Sequence, residues 1–340
     1  MAGGRWTVVE TLGAQNTWSV LAIDGRPTEW KSIARSLPTS ALPLVAVVHE
    51  RGETVERRLP PSRQLKDGNC VRAIPIPGPD GVVHAVLIWV GDDFPTAAPP
   101  AVAGFSYSST SRTLELSDDL YAQLDLPKVA NRSRWTGPEA FRRVERFDSA
   151  LELISMTIDP TPNDRWLGQL SLRAETGTRR LTLAFRNGDT PNDVAWRCLA
   201  IDVSETTPPD SVTVETAALA ALSARNPSTY IALVDIAHTR LIRWVTDPVP
   251  GILWKGIADE RESAHPDDVA RVRATTRDAL ASGNTTARVT GLRLRRKGGG
   301  WTVVDATGSL LPHTGKAMLV LVEYTVVGSS DEPDPVPPHS

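Results

Sequence analysis

The chain is short of most features that mark a protein out by class. Only two of its 340 residues are cysteine, Cys70 and Cys198, far apart and each inside an apolar stretch. That count supports no disulfide framework, and buried free thiols are expected over a disulfide or a metal site. No apolar run approaches the ~20 residues of a membrane span. Neither charge sign is in large excess: 37 Lys and Arg face 40 Asp and Glu, a net charge of −3. Such a balance gives no broad attraction to nucleic acid or anionic lipid. Met1-Ala2-Gly3-Gly4-Arg5-Trp6 leads into a strand-like stretch with no apolar h-region or cleavage site, so a cytoplasmic location is expected.

Catalytic signatures are missing as well. The six histidines (His49, His84, His238, His265, His313 and His339) are scattered, without zinc-ligand spacing among them or the cysteines. There is no Gly-x-Ser-x-Gly elbow and no kinase signature set. The nearest thing to an acid/base carboxylate pair is Asp118-Asp119, adjacent residues at a helix start that would point in different directions. No catalytic residue, metal ligand or cofactor is therefore assigned, and the chain is not expected to be an enzyme.

What the chain does have is proline, 27 of them, and tryptophan, ten against four tyrosines and five phenylalanines. Apolar residues at 41% and charged residues at 23% give an ordinary globular balance. The length exceeds what one hydrophobic core covers, so two or three domains are expected. Proline clusters at 93–101 and 205–211 read as linkers. Each follows an apolar run, Val86-Leu87-Ile88-Trp89-Val90 and Leu199-Ala200-Ile201-Asp202-Val203. A third run, Met318 to Val322, precedes a polar, proline-rich end. The expected domains are 5–92, 102–204 and 212–328, with a disordered tail over 329–340.

The three segments share a plan: a strand pair, a helical middle, then strands ending in the apolar run. The third is clearest. Tyr230–Asp235 and Thr239–Trp244 are β-rich runs joined by a short polar turn, read as paired strands. A helix starts at His265-Pro266-Asp267-Asp268, carries Val269, Val272, Ala279 and Leu280 as its apolar stripe, and stops at Ser282-Gly283-Asn284. Strands over 287–294 and 301–305 turn at Lys297-Gly298-Gly299-Gly300, and a last turn near 312–315 leads into the final strand. In the middle segment Gly104–Tyr107 pairs with Thr113–Leu116. Pro138 then opens a long helix through Phe141, Val144, Phe147, Leu151, Ile154 and Ile158. Strands follow at Trp166–Arg173, Arg179–Phe185 and Ala195–Val203. In the first segment Trp6–Thr11 pairs with Trp18–Ile23, and Trp30–Leu37 is a short helix. Leu44–His49 is helix or strand, and strands at Cys70–Ile76 and Val82–Val90 close the segment.

At His265-Pro266-Asp267-Asp268-Val269-Ala270-Arg271-Val272, then Gly283, then Arg295-Arg296-Lys297-Gly298-Gly299-Gly300-Trp301, the third segment resembles a PAS domain. The middle segment resembles the same fold without that motif, and the first is similar to a PAS or a GAF domain. The whole chain resembles the small actinobacterial family that carries three such sensor domains and no effector. The resemblance implies an α+β fold of three tandem PAS/GAF-like domains, each an antiparallel sheet flanked by helices. It also implies a non-enzymatic signalling role, scaffolding or integrating signals through protein partners. The alternative is a small-molecule-binding protein with a hydrophobic ligand in the third domain.

His265, before proline at a helix entry, is expected to cap rather than ligate. Haem-binding sensors carry a histidine further along that helix, where this chain has none. Asn69-Cys70-Val71-Arg72 only echoes a flavin photosensor's Asn-Cys-Arg run and lies at a strand start. Lys297–Gly300 lacks the spacing of a phosphate loop and is a hairpin turn. Arg293, Arg295 and Arg296 form a basic edge that guards against strand pairing or meets an acidic partner or a phosphate. Trp244, Trp254 and Trp301 are core residues or line a ligand cavity between sheet and helices. Ala218, Leu219, Ala221 and Leu222 form the apolar stripe of a short helix leading into the third domain.

Overall fold

The structure is a computed structural model describing residues 4–60, 70–126, 133–188, 195–210, 214–226, 228–258, 260–312 and 317–335. It divides into two compact units, one of Met1–Arg134 with Arg143–Ser211, the other of Trp135–Arg142 with Val212–Ser340.

The first unit holds two sheets. One is built from β1 (Arg5–Glu10), β2 (Ser19–Ile23), β3 (Arg26–Ser32), β4 (Val55–Arg58), β5 (Cys70–Pro77) and β6 (Val83–Gly91). Its order is β3-β2-β1-β6-β5-β4, antiparallel throughout. Two helices belong to it, α1 (Ile33–Ser36) and α2 (Leu42–Arg51). The open choice at Leu44–His49 resolves to helix: Pro43 sits in the first turn, and Gly52 in the left-handed region ends it. Leu44, Val45 and Val48 of α2 pack on Val9, Val71, Val86 and Ile88. The short helix expected from Trp30 begins later, because β3 pairs with β2 as far as Ser32.

The other sheet comprises β7 (Val102–Ser108), β8 (Thr113–Leu116), β9 (Arg134–Thr136), β10 (Val144–Arg146), β11 (Arg165–Arg173), β12 (Thr178–Asn187) and β13 (Ala195–Asp202). The order is β10-β11-β12-β13-β7-β8-β9, and the chain passes from one unit to the other within β9. Three short helices lie in the same stretch: α3 (Asp118–Gln123), α4 (Gly137–Phe141) and α5 (Ala150–Ile158). The long helix expected from Pro138 is thus corrected to helix, strand, helix. A capping box between Thr136 and Glu139 opens α4, and Val144 pairs with Leu172 of β11 instead of continuing the helix.

The two sheets of this unit share one apolar core. Val8, Leu21 and Leu87 from one pack with Val102, Leu199 and Ile201 from the other. Within that interface Arg186 of β12 bonds to Glu10 of β1 at 3.1 Å, both buried. The proline segment after β13 is tied down: Thr206 donates to the Gly25 carbonyl, and Asp210 pairs with Arg180 and Arg146.

The second unit carries α6 (Val214–Arg225), β14 (Thr229–Asp235), β15 (Arg240–Trp244), α7 (Pro266–Ala281), β16 (Thr286–Arg295), β17 (Trp301–Leu310) and β18 (Leu319–Ser330). Its antiparallel order is β15-β14-β18-β17-β16. α4 lies against β15, with Arg243 stacked over Phe141 at 5.1 Å. The Trp254 indole donates to the Thr136 hydroxyl at 3.1 Å. The side chains of Leu219 and Leu222 in α6 lie outside the described residues.

The chain is more sheet-rich than the α+β expectation: among the described residues only α6 and α7 exceed ten residues. The disordered tail expected from Ser329 is corrected over residues 329–335. Ser329 and Ser330 complete β18, paired with Thr302 and Trp301, and Asp331, Glu332 and Asp334 all make ion pairs. Residues 336–340 lie outside the described residues.

Candidate functional site

The N-terminal motif of α7 does structural work of two kinds. His265 takes extended backbone and its Nδ1 accepts from the Asp267 backbone N–H at 3.2 Å, the capping role expected of it. Its ring meets Trp301 edge-on, centroids 4.9 Å apart. Asp268, buried in the first turn, accepts from both the backbone N–H (2.8 Å) and Nε (2.9 Å) of Arg293 in β16, and from Arg271 at 2.9 Å. Burial pushes the Asp268 carboxyl up, but these bonds outweigh it and hold the group below the usual carboxylate range. One carboxylate thereby locks the helix onto the sheet.

Behind α7 lies a cavity of about 120 Å³. Val272, Thr276 and Ala279 of the helix form one wall, and Leu292, Leu294, Ala306, Val320, Val322 and Tyr324 of the sheet form the other. Leu280, Asn284 and Thr286, all exposed, stand at its mouth. Aliphatic side chains make up most of the lining, with Thr239, Ser263, Thr276, Asn284, Thr285 and Thr286 among them. The Tyr324 phenol stands out: burial pushes its pKa up, and it makes no hydrogen bond among the described residues.

Of the two readings for the tryptophans, core packing holds. Trp244 and Trp254 are core residues of this unit, and Trp301 is buried with its indole N–H on the Glu332 carbonyl at 2.9 Å. Tyr324 was missed by sequence reasoning, although the alternation Val320, Val322, Tyr324 places all three on one strand face. Lys297–Gly300 is a hairpin turn, with Gly298, Gly299 and Gly300 at positive φ and the Arg296 N–H on the Gly300 carbonyl. Arg293, Arg295 and Arg296 gather on the acidic residues after β18.

The other histidines scatter. His84 is buried in the first unit, Nδ1 3.0 Å from the Cys198 carbonyl and Nε2 3.2 Å from Asp80. Burial raises Asp80, yet the His84 bond and neighbouring Arg197 bring it down to about 2. His238 pairs with Asp235, His49 stacks near Trp18, and His313 and His339 lie outside the described residues. Among the described residues no three His, Cys, Asp or Glu side chains are grouped as for a metal ion. Cys70 and Cys198 are both buried and free. Asp118 and Asp119 open α3. No described helix is long and apolar enough to cross a membrane.

Residues 5–101 match the Rv3651-like N-terminal domain and residues 216–326 the Rv3651-like C-terminal domain. Together these span more than half of the chain, which belongs to the Rv3651-like family. The fold is similar to the crystal structure of an uncharacterised protein from Mycobacterium tuberculosis, with a TM-score of 0.75 at 19% identity over 95% of this chain and 96% of that one. Two further structures are much more distant. An RNA-binding light-oxygen-voltage receptor gives a TM-score of 0.25 at 12% identity, over 67% of this chain and 96% of that one. The ligand-binding domain of the Campylobacter jejuni chemoreceptor Tlp3 in complex with L-norvaline gives 0.17 at 12%, over 62% and 69%. At those scores neither carries an argument. No curated protein matches the sequence.

Proposed function

We propose that this chain is a cytoplasmic signalling protein of three tandem PAS/GAF-like sensor domains that acts by binding rather than by catalysis. Its C-terminal domain takes a small apolar molecule behind α7, and the bound state is read out by protein partners. The observation that carries this reading is the largely aliphatic cavity between α7 and the sheet, with the Tyr324 phenol on its sheet wall. An engineered apolar cavity of about 150 Å³ suffices elsewhere for one aromatic ring, so the ligand class is a compact apolar body bearing one hydrogen-bonding atom. Asp268 supplies the mechanical link, since it ties the helix over the cavity to β16.

Trp244 lies 5.9 Å from Tyr324, ring centre to ring centre, and reports on the cavity. Tryptophan emission should change saturably as phenol, benzaldehyde or indole is titrated in. Ala306→Phe, which fills the space from β17, should abolish the change. A response that survives Ala306→Phe, or none with any of the three, removes the cavity from the account.

A further inference from the structure

The residues after β18 lie in a basic groove. Asp331 pairs with Arg296 at 3.1 Å, Glu332 with Arg293 at 2.5 Å, and Asp334 with both Arg261 at 2.5 Å and Arg295 at 3.4 Å. The Glu332 carbonyl accepts from the indole N–H of buried Trp301, which fixes the register of the segment. The groove thus presents four guanidinium groups and one fixed N–H donor, matched to carboxylates at the first, second and fourth positions of an extended strand.

The first two positions of the occupant are weakly held, and Asp334, 28% exposed against Arg295, is its firmest contact. Asp331 is 94% exposed and Glu332 47%, so their ion pairs are worth little each in water. Pro333 and Pro335 are exposed and contribute no buried apolar area. Arginine clusters of this kind recognise acidic motifs in trans. We infer that the groove formed by Arg261, Arg293, Arg295, Arg296 and Trp301 is a docking site for an acidic segment of a partner protein, which the chain's own Asp331-Glu332-Pro333-Asp334 occupies as an internal competitor. Tethered next to the groove, that segment acts at an effective concentration on the order of millimolar. A partner binds only when it outcompetes it. The inference extends the partner-binding part of the proposed function and is independent of the cavity.

A fluorescein-labelled peptide copying residues 330–335 tests it by anisotropy on the full chain. The variant Asp331→Asn with Glu332→Gln and Asp334→Asn should bind the peptide at least tenfold more tightly than the parent. Adding Arg261→Gln and Arg296→Gln should remove the gain, as should 0.5 M salt. If the triple variant melts early by circular dichroism, Asp331→Asn with Asp334→Asn carries the same comparison, with a gain of at least threefold expected. Equal binding by parent and tail variants, or a gain that survives loss of the two arginines, overturns the inference. So does competition by inorganic sulfate as strong as by the unlabelled peptide, because the groove would then be an unspecific anion patch. Failure here leaves the emission response of the cavity untouched.

Discussion

Replacing Arg186 by methionine is the most informative perturbation of the first unit. Arg186 donates to Glu10 Oε1 (3.1 Å), the Thr17 hydroxyl (2.6 Å) and the Thr17 carbonyl (3.1 Å), all inside the interface of the two sheets. Glu10 is fully buried, and its other oxygen accepts from the Leu12 N–H. Methionine leaves that carboxylate without a cation, at a cost of about 3–5 kcal/mol near neutral pH. For a folded unit of this size each kcal/mol lowers Tm by about 2–4 °C, so the transition should fall by roughly 6–20 °C. Burial raises the Glu10 pKa and Arg186 lowers it, with burial the stronger. A group raised in this way stabilises the fold fully below its unfolded value, and that contribution is lost as pH rises through its folded value. Without Arg186 the folded value climbs further, so the deficit is largest at neutral pH. Near pH 4.5 Glu10 carries a proton in the variant, and the deficit shrinks towards the lost Thr17 bonds, about 1 kcal/mol each. Scanning calorimetry at pH 7.5 and 4.5 checks this, with Glu10→Met plus Arg186→Met expected to recover most of the loss. Equal depressions at both pH values, or a loss under about 1 kcal/mol at pH 7.5, would refute the reasoning.

Asp268→Asn should destabilise the second unit by about 3 kcal/mol at pH 7. Because the folded Asp268 pKa lies below its unfolded value, its contribution is present above about 3.9 and fades as pH falls through the folded value. The acid limb of the second unit's melt should therefore be shallower in the variant than in the parent. Gly78→Ala would set a Cβ 2.1 Å from Nε2 of buried His84, and overpacking of about 1–3 kcal/mol should appear in urea unfolding. Unchanged stability there would show that the His84 ring moves freely. Val272→Asp, on the cavity side of α7, should lower Tm through an unpaired buried charge, whereas Arg277→Asp on its exposed face should shift stability by under about 0.5 kcal/mol.

Local elements were legible where the pattern and the punctuation agreed. The α7 start at His265-Pro266, its stop at Gly283 and the β16–β17 turn follow directly from capping and glycine chemistry. The break after Phe141 did not, because Phe141, Val144, Phe147 and Leu151 keep helical spacing while β10 pairs with a strand far along the chain. Tertiary pairing overrode the local period there. The shared core of the first unit does leave a signal in the sequence. Val86-Leu87-Ile88 and Cys198-Leu199-Ala200-Ile201 are continuous apolar runs, the mark of strands buried on both faces, rather than alternating ones. The Glu10–Arg186 pair and the arginine groove around the chain's acidic end join residues too far apart in sequence for any spacing rule. The tryptophans of the third segment pack as core, and largely aliphatic side chains of α7 and the sheet line the cavity instead.

Native mass spectrometry of the intact chain, freshly purified without added ligand, tests the central claim most directly. The parent should retain one small apolar molecule per chain, released on collisional activation, and Ala306→Phe should show the bare mass alone. Identical spectra for the parent and Ala306→Phe, both bare or both carrying the adduct, would contradict a ligand seated between α7 and the sheet.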